Sequence, residues 1–588
     1  MLFRSGTNSR VYVGAGTVLY DITPVANTYN SGSTPSTDNC ISTTSGSNLV
    51  TVTITGYGAT TGTYVTFSGI TGPTIGGIPV SEMNTTVQIT YVTANTFTFE
   101  TTTVASSTTS SQGGTAITAV FYMSAGFPIT TAGYGWGTGT WGRGAWGSSS
   151  TVPIFQPARL VFQDKFNNDL VFNTTYDTVS EDGGDIYYWA YTAAFNTRAV
   201  LLSSIAGAVA VPQKVTKILF TPQGFLLALG CTNYDATASA PDYLGSYDPL
   251  LVRWSNVDAD IGPEPEVWQP TLTNTAGFIR LQSGSRIVTA INTRQETLIF
   301  TNTSLTSLQY LGTQEVFGAQ ELSHNISIIG PNAVVGSNNI TYWMGRDRFY
   351  TYSGRVDTLP CTLRQYIFTD INYTQSQLIF SGVNNKFTEI IWFYCSANSS
   401  EIDRYVVFNY IENIWYYGQL ERTAWIDSGV FNNPIGLDNG WVYQHENGTD
   451  DGQPNGAAPL ALDAYIQSAD IDISDGDKFM LIRRIIPDVN FNGSETTNPV
   501  TGAAIVPEAD VTVGVRNFPG AAISYTNEEG QTTTETVATT ATVNLYTNQV
   551  FIRARGRQMN FKIESNTVGT QWQLGMPRVD ARPDGLRG

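Results

Sequence analysis

Short apolar runs separated by compact polar turns recur through the middle of this chain, and that recurrence limits the fold more than any other feature. In Ile340–Gly354 two apolar runs, Ile340–Trp343 and Phe349–Tyr352, flank the polar stretch Gly345–Arg348, as in a two-stranded hairpin. The same phrase returns in Ile218–Phe220 with Phe225–Leu229 and in Ile287–Ile291 with Thr297–Phe300. It returns again in Glu389–Tyr394 with Arg404–Asn409 and Ile414–Tyr417, and in Trp425–Phe431 with Trp441–Tyr443. Turn centres near 223, 294, 346, 398 and 439 are spaced close to the ~40–50 residues of a propeller blade, the first gap being widened by a polar excursion. With less regular units around Val161–Asn173 and Ile186–Tyr191, these predict a β-propeller over 155–485.

Outside the repeat the chain remains β-like. Aromatics reach 12% and charged residues only 13%, a balance that favours strands and uncharged polar turns over helices. The fold class expected is all-β, with a β-propeller core, an inserted small Ser/Thr-rich β domain and a C-terminal β-sandwich-like domain. Residues 1–25 hold a Gly-turned hairpin, Val11–Pro24, expected to join the propeller by pairing with a late strand. Residues 26–125 are crowded with Ser and Thr, yet Val50–Ile54, Tyr64–Phe67, Val87–Val92 and Thr96–Glu100 alternate with period two, so an inserted β domain is predicted. Its runs Thr28–Ser47 and Thr101–Ser111 read as polar connections. A Gly/Trp-rich loop occupies 126–154, and Thr362–Asp370, following Pro360, has the spacing of one short helix. Residues 486–588 form the C-terminal β domain, which ends in a basic tail.

The residue inventory argues against catalysis and against bound metal. Cys40, Cys231, Cys361 and Cys395 are scattered without a metal or disulfide spacing, and read as buried free thiols. His324 and His445 are the only histidines; the first reads as a turn residue, and the second, beside Glu446, is a weak acid/base candidate. Asp470–Asp472 and Asp475–Asp477 lack the twelve-residue calcium pattern, and no glycine-rich stretch leads into the Lys-Ser/Thr of a phosphate loop. No enzyme activity, cofactor or metal is therefore expected. There is no run of eighteen apolar residues, and Met1–Gly6 lacks the apolar core of a secretory signal, which predicts synthesis in the cytoplasm.

The formal charge of −18 is unevenly spread, because 551–588 carries seven basic against three acidic groups. A largely acidic body disfavours gripping nucleic acid, whose affinity comes from clustered Lys and Arg. Two groups of candidate subunit or partner contacts stand out. Trp136, Trp141 and Trp146 recur every five residues, fitting neither a helix nor a strand face, and either anchor a neighbouring subunit or pin the loop to its own core. In the basic tail, alternation puts Arg553 and Arg555 on one face, with Arg557 just beyond, where they can meet an acidic neighbour.

A set of phrases then resembles a known family. These are Arg253–Asp258 with Trp268–Pro270, Leu281–Gly284 leading to Ile329–Asn332, Tyr342–Asp347 and Phe479–Ile486. The ending, Arg555–Gln558 through Trp572–Gly575 to Arg578–Gly585, belongs to the same set. Together they resemble the tail hub or nozzle proteins, also called stabilisation proteins, of short-tailed bacteriophages, over 155–588 and the first 25 residues. The resemblance implies a structural virion protein built on a β-propeller. It implies a homohexameric ring below the head-to-tail adaptor that forms the distal DNA-ejection conduit, through which DNA passes without specific binding. Residues 26–125 lie outside the match and are expected to decorate the particle or touch tail fibres or spikes. The rival reading is a secreted or surface β-propeller that binds or cleaves polysaccharide, its aromatics stacking on sugars; a propeller scaffold of a cellular complex is a third.

Overall fold

The computed structural model describes the chain apart from residues 22–38, 55–63, 122–159, 191–199, 519–524 and 527–531 and shorter intervening and terminal stretches. The Gly/Trp-rich loop with Trp136, Trp141 and Trp146 lies outside the described residues. Two compact units are present, 1–445 and 446–588.

Six antiparallel sheets follow one another along 161–444, each a meander with neighbouring strands in chain order. The opening hairpin sits in the fourth, where Ile340–Met344 pairs with Phe349–Tyr352 and is flanked by Val334–Ser337 and Val356–Leu359. The first strand of each sheet lies beside the first strand of the next. Val161–Phe166, Lys217–Phe220, Ile287–Asn292, Val334–Ser337, Phe380–Asn384 and Ala424–Ile426 thus run in sequence order around a β-propeller axis. Five of these blades have four strands and the sixth has three. The first 21 residues form a three-stranded sheet, Leu2–Ser5, Asn8–Ala15 and Val18–Asp21, and Leu2–Ser5 lies beside Ile435–Asp438 of the sixth blade.

Blades hold together by apolar faces pressed on one another. Leu298 and Phe300 of the third blade, Trp343, Met344 and Phe349 of the fourth, and Trp392, Phe408 and Trp415 of the fifth share one core. Within it Phe349 lies 4.8 Å from Trp392 and 4.7 Å from Trp415, ring centre to ring centre. The expected short helix is present as Arg364–Asp370 and buries Ile367 in the same core. This helix and the residues after it also hold the Gly345–Arg348 turn. Arg364 Nε donates to the Asp347 carbonyl at 2.7 Å, and the Tyr373 hydroxyl donates to the Arg346 carbonyl at 2.9 Å, so the turn is clasped by the segment that follows the blade.

The sixth blade differs from the expected Trp425–Phe431 and Trp441–Tyr443 pair. Ala424–Ile426 pairs instead with Ile435–Asp438, which in turn pairs with Trp441–Gln444. The intervening strand was overlooked because Gly436 interrupts its apolar pattern. That glycine lies against two side chains, since an added Cβ would fall 2.7 Å from His445 Nε2 and 2.9 Å from Arg422 Cδ.

In the inserted domain one sheet runs, in spatial order, Thr90–Thr93, Thr96–Glu100, Leu49–Thr53, Ile41–Thr43 and Thr109–Gln112. A second contains Thr118–Phe121, Tyr64–Ser68 and Thr86–Gln88, and Phe67, Phe97 and Phe99 pack in the core the domain encloses. The Ser/Thr runs are therefore not wholly connections, because each contributes a strand. Thr43 Oγ1 lies 2.8 Å from Thr109 Oγ1 and donates to the Ser107 carbonyl at 3.1 Å, the hydroxyl pairing that β-branched Thr supplies across strands.

The second unit begins at 446, forty residues before the expected boundary at 486. Ala464–Gln467 and Ile471–Asp472 belong to it because both pair with Gln558–Ser565, a partner about ninety residues away that local pattern cannot reveal. The unit is a two-sheet sandwich. One sheet contains Gln558–Ser565, Glu508–Arg516 and Thr536–Asn544; the other orders Val550–Gly556, Met480–Ile486 and Arg578–Pro583. Val511, Val513, Val515, Met559 and Ile563 of the first meet Ile482, Ile485, Ile552 and Ala554 of the second.

Candidate interaction surface

Strand alternation decides which side chains of the sandwich meet solvent. Along Val550–Gly556 every second residue is buried, so Phe551, Arg553 and Arg555 all point outward. Met480–Ile486, at the centre of that sheet, buries Met480, Ile482 and Ile485 and exposes Arg483 and Arg484; a register shift between Ile482 and Arg484 allows two successive arginines to be exposed. On Arg578–Pro583, Val579 and Ala581 pack inward while Arg578 and Arg582 are exposed.

Register then brings these residues together. Arg555 and Arg582 flank Leu481 from its two sides, and Phe551 and Asp580 flank Arg484. The outer face thus gathers Arg483, Arg484, Arg553, Arg555, Arg578 and Arg582. Two of the three arginines expected from the sequence are partly tied down. Arg555 Nε meets Asp584 Oδ2 at 2.5 Å and its guanidinium lies 4.1 Å from the Phe479 ring centre, with that of Arg557 at 5.1 Å. Arg483, Arg553 and Arg578 have no polar partner among the described residues. Phe551 stands in the patch 75% exposed.

The opposite sheet presents another chemistry. Its outer face carries Asp470, Asp472, Asp510 and Glu564, with Asp510 directly across from Glu564. Arg516 and Lys562 offset part of this charge, Arg516 Nε lying 3.2 Å from Asp470 Oδ2. Asp470 and Asp472 receive Asn560 and Gln558 amide groups at 3.0 and 3.4 Å, so they serve this sheet's hydrogen bonding.

Two basic side chains of the propeller serve its framework. Arg253 is fully buried and its two terminal nitrogens donate to the carbonyls of Thr232, Ala210 and Trp268 at 3.2, 2.6 and 3.2 Å. Lys217 Nζ donates to Thr289 Oγ1 at 2.7 Å and to the Ala290 carbonyl at 3.0 Å, tying the second blade to the third; desolvation pulls its pKa down to about 8. Sequence reading missed Lys217 and named Arg253 only within a resembling phrase, although each stands beside a strongly apolar run. Cys231 is buried and its thiol is pushed up to about 12 by desolvation, which makes it inert. No cluster of three or more metal-ligating side chains occurs among the described residues. No helix there is long and apolar enough to cross a membrane.

His445 is not poised as an acid/base group. Its Nε2 accepts from Arg422 Nε at 3.0 Å, which requires the neutral ring, and burial followed by the Arg422 charge lowers its pKa to about 4. The unfolded chain takes up a proton near pH 6.5 that the folded chain refuses until about pH 4. The resulting stability is complete above pH 6.5 and is lost as pH falls through that window, by about 2 kcal/mol once partial exposure is discounted. Urea midpoints at about pH 7 and about pH 5 should therefore diverge more for the wild type than for His445→Gln, whose amide oxygen still accepts from Arg422 but does not titrate.

No family model matches the chain, and no curated protein matches it. Among solved structures it is similar to an exo-β-1,3-galactanase of Phanerochaete chrysosporium, at 10% identity and a TM-score of 0.23, covering 71% of this chain and 95% of that one. PorZ, a bacterial surface component of the type-IX secretion system of Porphyromonas gingivalis, is similar at 9% identity and a TM-score of 0.31, covering 84% and 62%. A protein of unknown function from Desulfotomaculum acetoxidans gives 13% identity and a TM-score of 0.25, covering 64% and 84%. At these levels none of the three bears on what this chain does.

Proposed function

We propose that this chain is a structural protein of a short phage tail, closing with further copies into a hexameric ring below the head-to-tail adaptor and lining the distal DNA conduit. It acts as a wall and not as an enzyme. The observation that carries this reading is the set of tail-protein phrases running from Arg253 to Gly585, which includes the framework residues Arg253, Trp254, Trp268 and Trp343, all buried. The charge is compatible with it. A conduit must let phosphates pass, and a net charge of −18 offers little to hold them. On this reading the copies reside in the virion tail after synthesis in the host cytoplasm, with the inserted domain 26–125 decorating the particle or touching fibres or spikes.

Native mass measurement of the purified chain, alone and with the adaptor of the same particle, tests the proposal. The expected result is a closed ring of six copies that binds the adaptor. A chain that stays monomeric in both conditions contradicts it, and release of sugar from a host polysaccharide would favour the rival reading.

A further inference from the structure

The C-terminal sandwich has two outer faces of opposite sign. On one, six arginines stand against Asp580 and Asp584; on the other, Asp470, Asp472, Asp510 and Glu564 stand against Arg516 and Lys562. Gathering like charges on one small sheet costs self-repulsion, and here Arg483, Arg553 and Arg578 have no carboxylate among the described residues to relieve it. An exposed Phe551 among guanidinium groups is the composition found at the centre of protein interfaces, which are enriched in aromatics and arginine. The acidic face has its own exposed aromatic, Tyr465, directly across from Glu564.

We infer that the arginine face of one copy docks on the acidic face of the same sandwich in a second copy. The two surfaces lie on opposite sides of one domain, so the contact is heterologous, and repetition carries it around a ring or along a filament. A second copy fits this face better than a nucleic acid does. Asp580 and Asp584 interrupt the arginines where a polyphosphate would run, and the net charge of −18 repels it. The inference rests on the ring reading above and names its interface.

Two full-length variants test it, Arg484→Glu with Arg553→Glu on one face and Asp472→Lys with Asp510→Lys on the other. All four side chains are on outer faces, so any loss of melting temperature should be small beside that of a core substitution, the exposed hydrogen bonds of Asp472, Asp510 and Arg484 being the only ones removed among the described residues. Sedimentation velocity should show each variant self-associating at least about tenfold more weakly than wild type, with a smaller difference at high salt. An equimolar mixture should recover pairwise association, because the first variant keeps its acidic face and the second keeps its arginine face.

If both variants assemble as the wild type does, the interface is overturned and the ring reading stands. If wild-type chains stay monomeric even with the adaptor, both are overturned. If the arginine variant loses only retention on duplex DNA or on anionic vesicles, with self-association unchanged, the face belongs to a polyanion and the inference is overturned.

Discussion

Replacing Trp392 by alanine should destabilise the propeller by about 3–5 kcal/mol. Trp392 is fully buried between the fourth and fifth blades. Its ring packs 4.8 Å from Phe349 and stacks 6.0 Å from Trp415, and its Nε1 donates to the Ala333 carbonyl at 3.1 Å. Alanine therefore opens a cavity among rings too rigid to collapse into it and also strands a buried carbonyl. Trp392→Phe keeps most of the volume and loses the hydrogen bond, so it should cost about 1–3 kcal/mol. Urea unfolding followed by tryptophan fluorescence should show the first transition moving in that order. Equal midpoints for the alanine variant and wild type would mean that blade-to-blade packing does not set the stability of the propeller.

The second large effect is expected at Arg253. Its guanidinium collects three carbonyls from separate segments, Ala210, Thr232 and Trp268, inside the second blade and the chain around it. Desolvation lowers its pKa, so the charge is held at some cost by those dipoles. Arg253→Ala leaves all three carbonyls buried without a donor and should cost about 3–5 kcal/mol. Arg253→Lys keeps the charge, but a single ammonium cannot reproduce the forked geometry, and recovery should be partial. Thermal melts of the two variants beside wild type decide the point, and a lysine variant as stable as wild type would show that charge alone, not the fork, matters there.

The parts legible in the sequence were those whose signal is local. Hairpins such as Ile340–Tyr352 announce themselves because apolar runs and a polar turn lie within a dozen residues, and Phe551–Arg555 shows its two faces by simple alternation. Long-range pairing was not legible. Ala464–Gln467 carries no sign that it belongs with Gln558–Ser565, and so the domain boundary was expected too late. For the same reason sequence reading found Arg553, Arg555 and Arg557 but not the rest of the patch. Arg483 and Arg484 sit in a run that looks like an apolar strand, and Arg578 and Arg582 join them only through register with Met480–Ile486. The short strand Ile435–Asp438 was hidden by Gly436, which is there for want of room beside His445 and Arg422. A glycine chosen for packing looks, in sequence, like a loop.

These observations place the weight of the account on assembly: buried clamps such as Arg253 hold the propeller together, and the sandwich carries two outer faces of opposite sign. An end-on electron-microscopy projection of the assembled protein, purified with the particle that carries it, tests this most directly. The account predicts a closed six-fold ring around a central channel. Isolated single copies, or a particle whose projection has no ring of this protein, would contradict it.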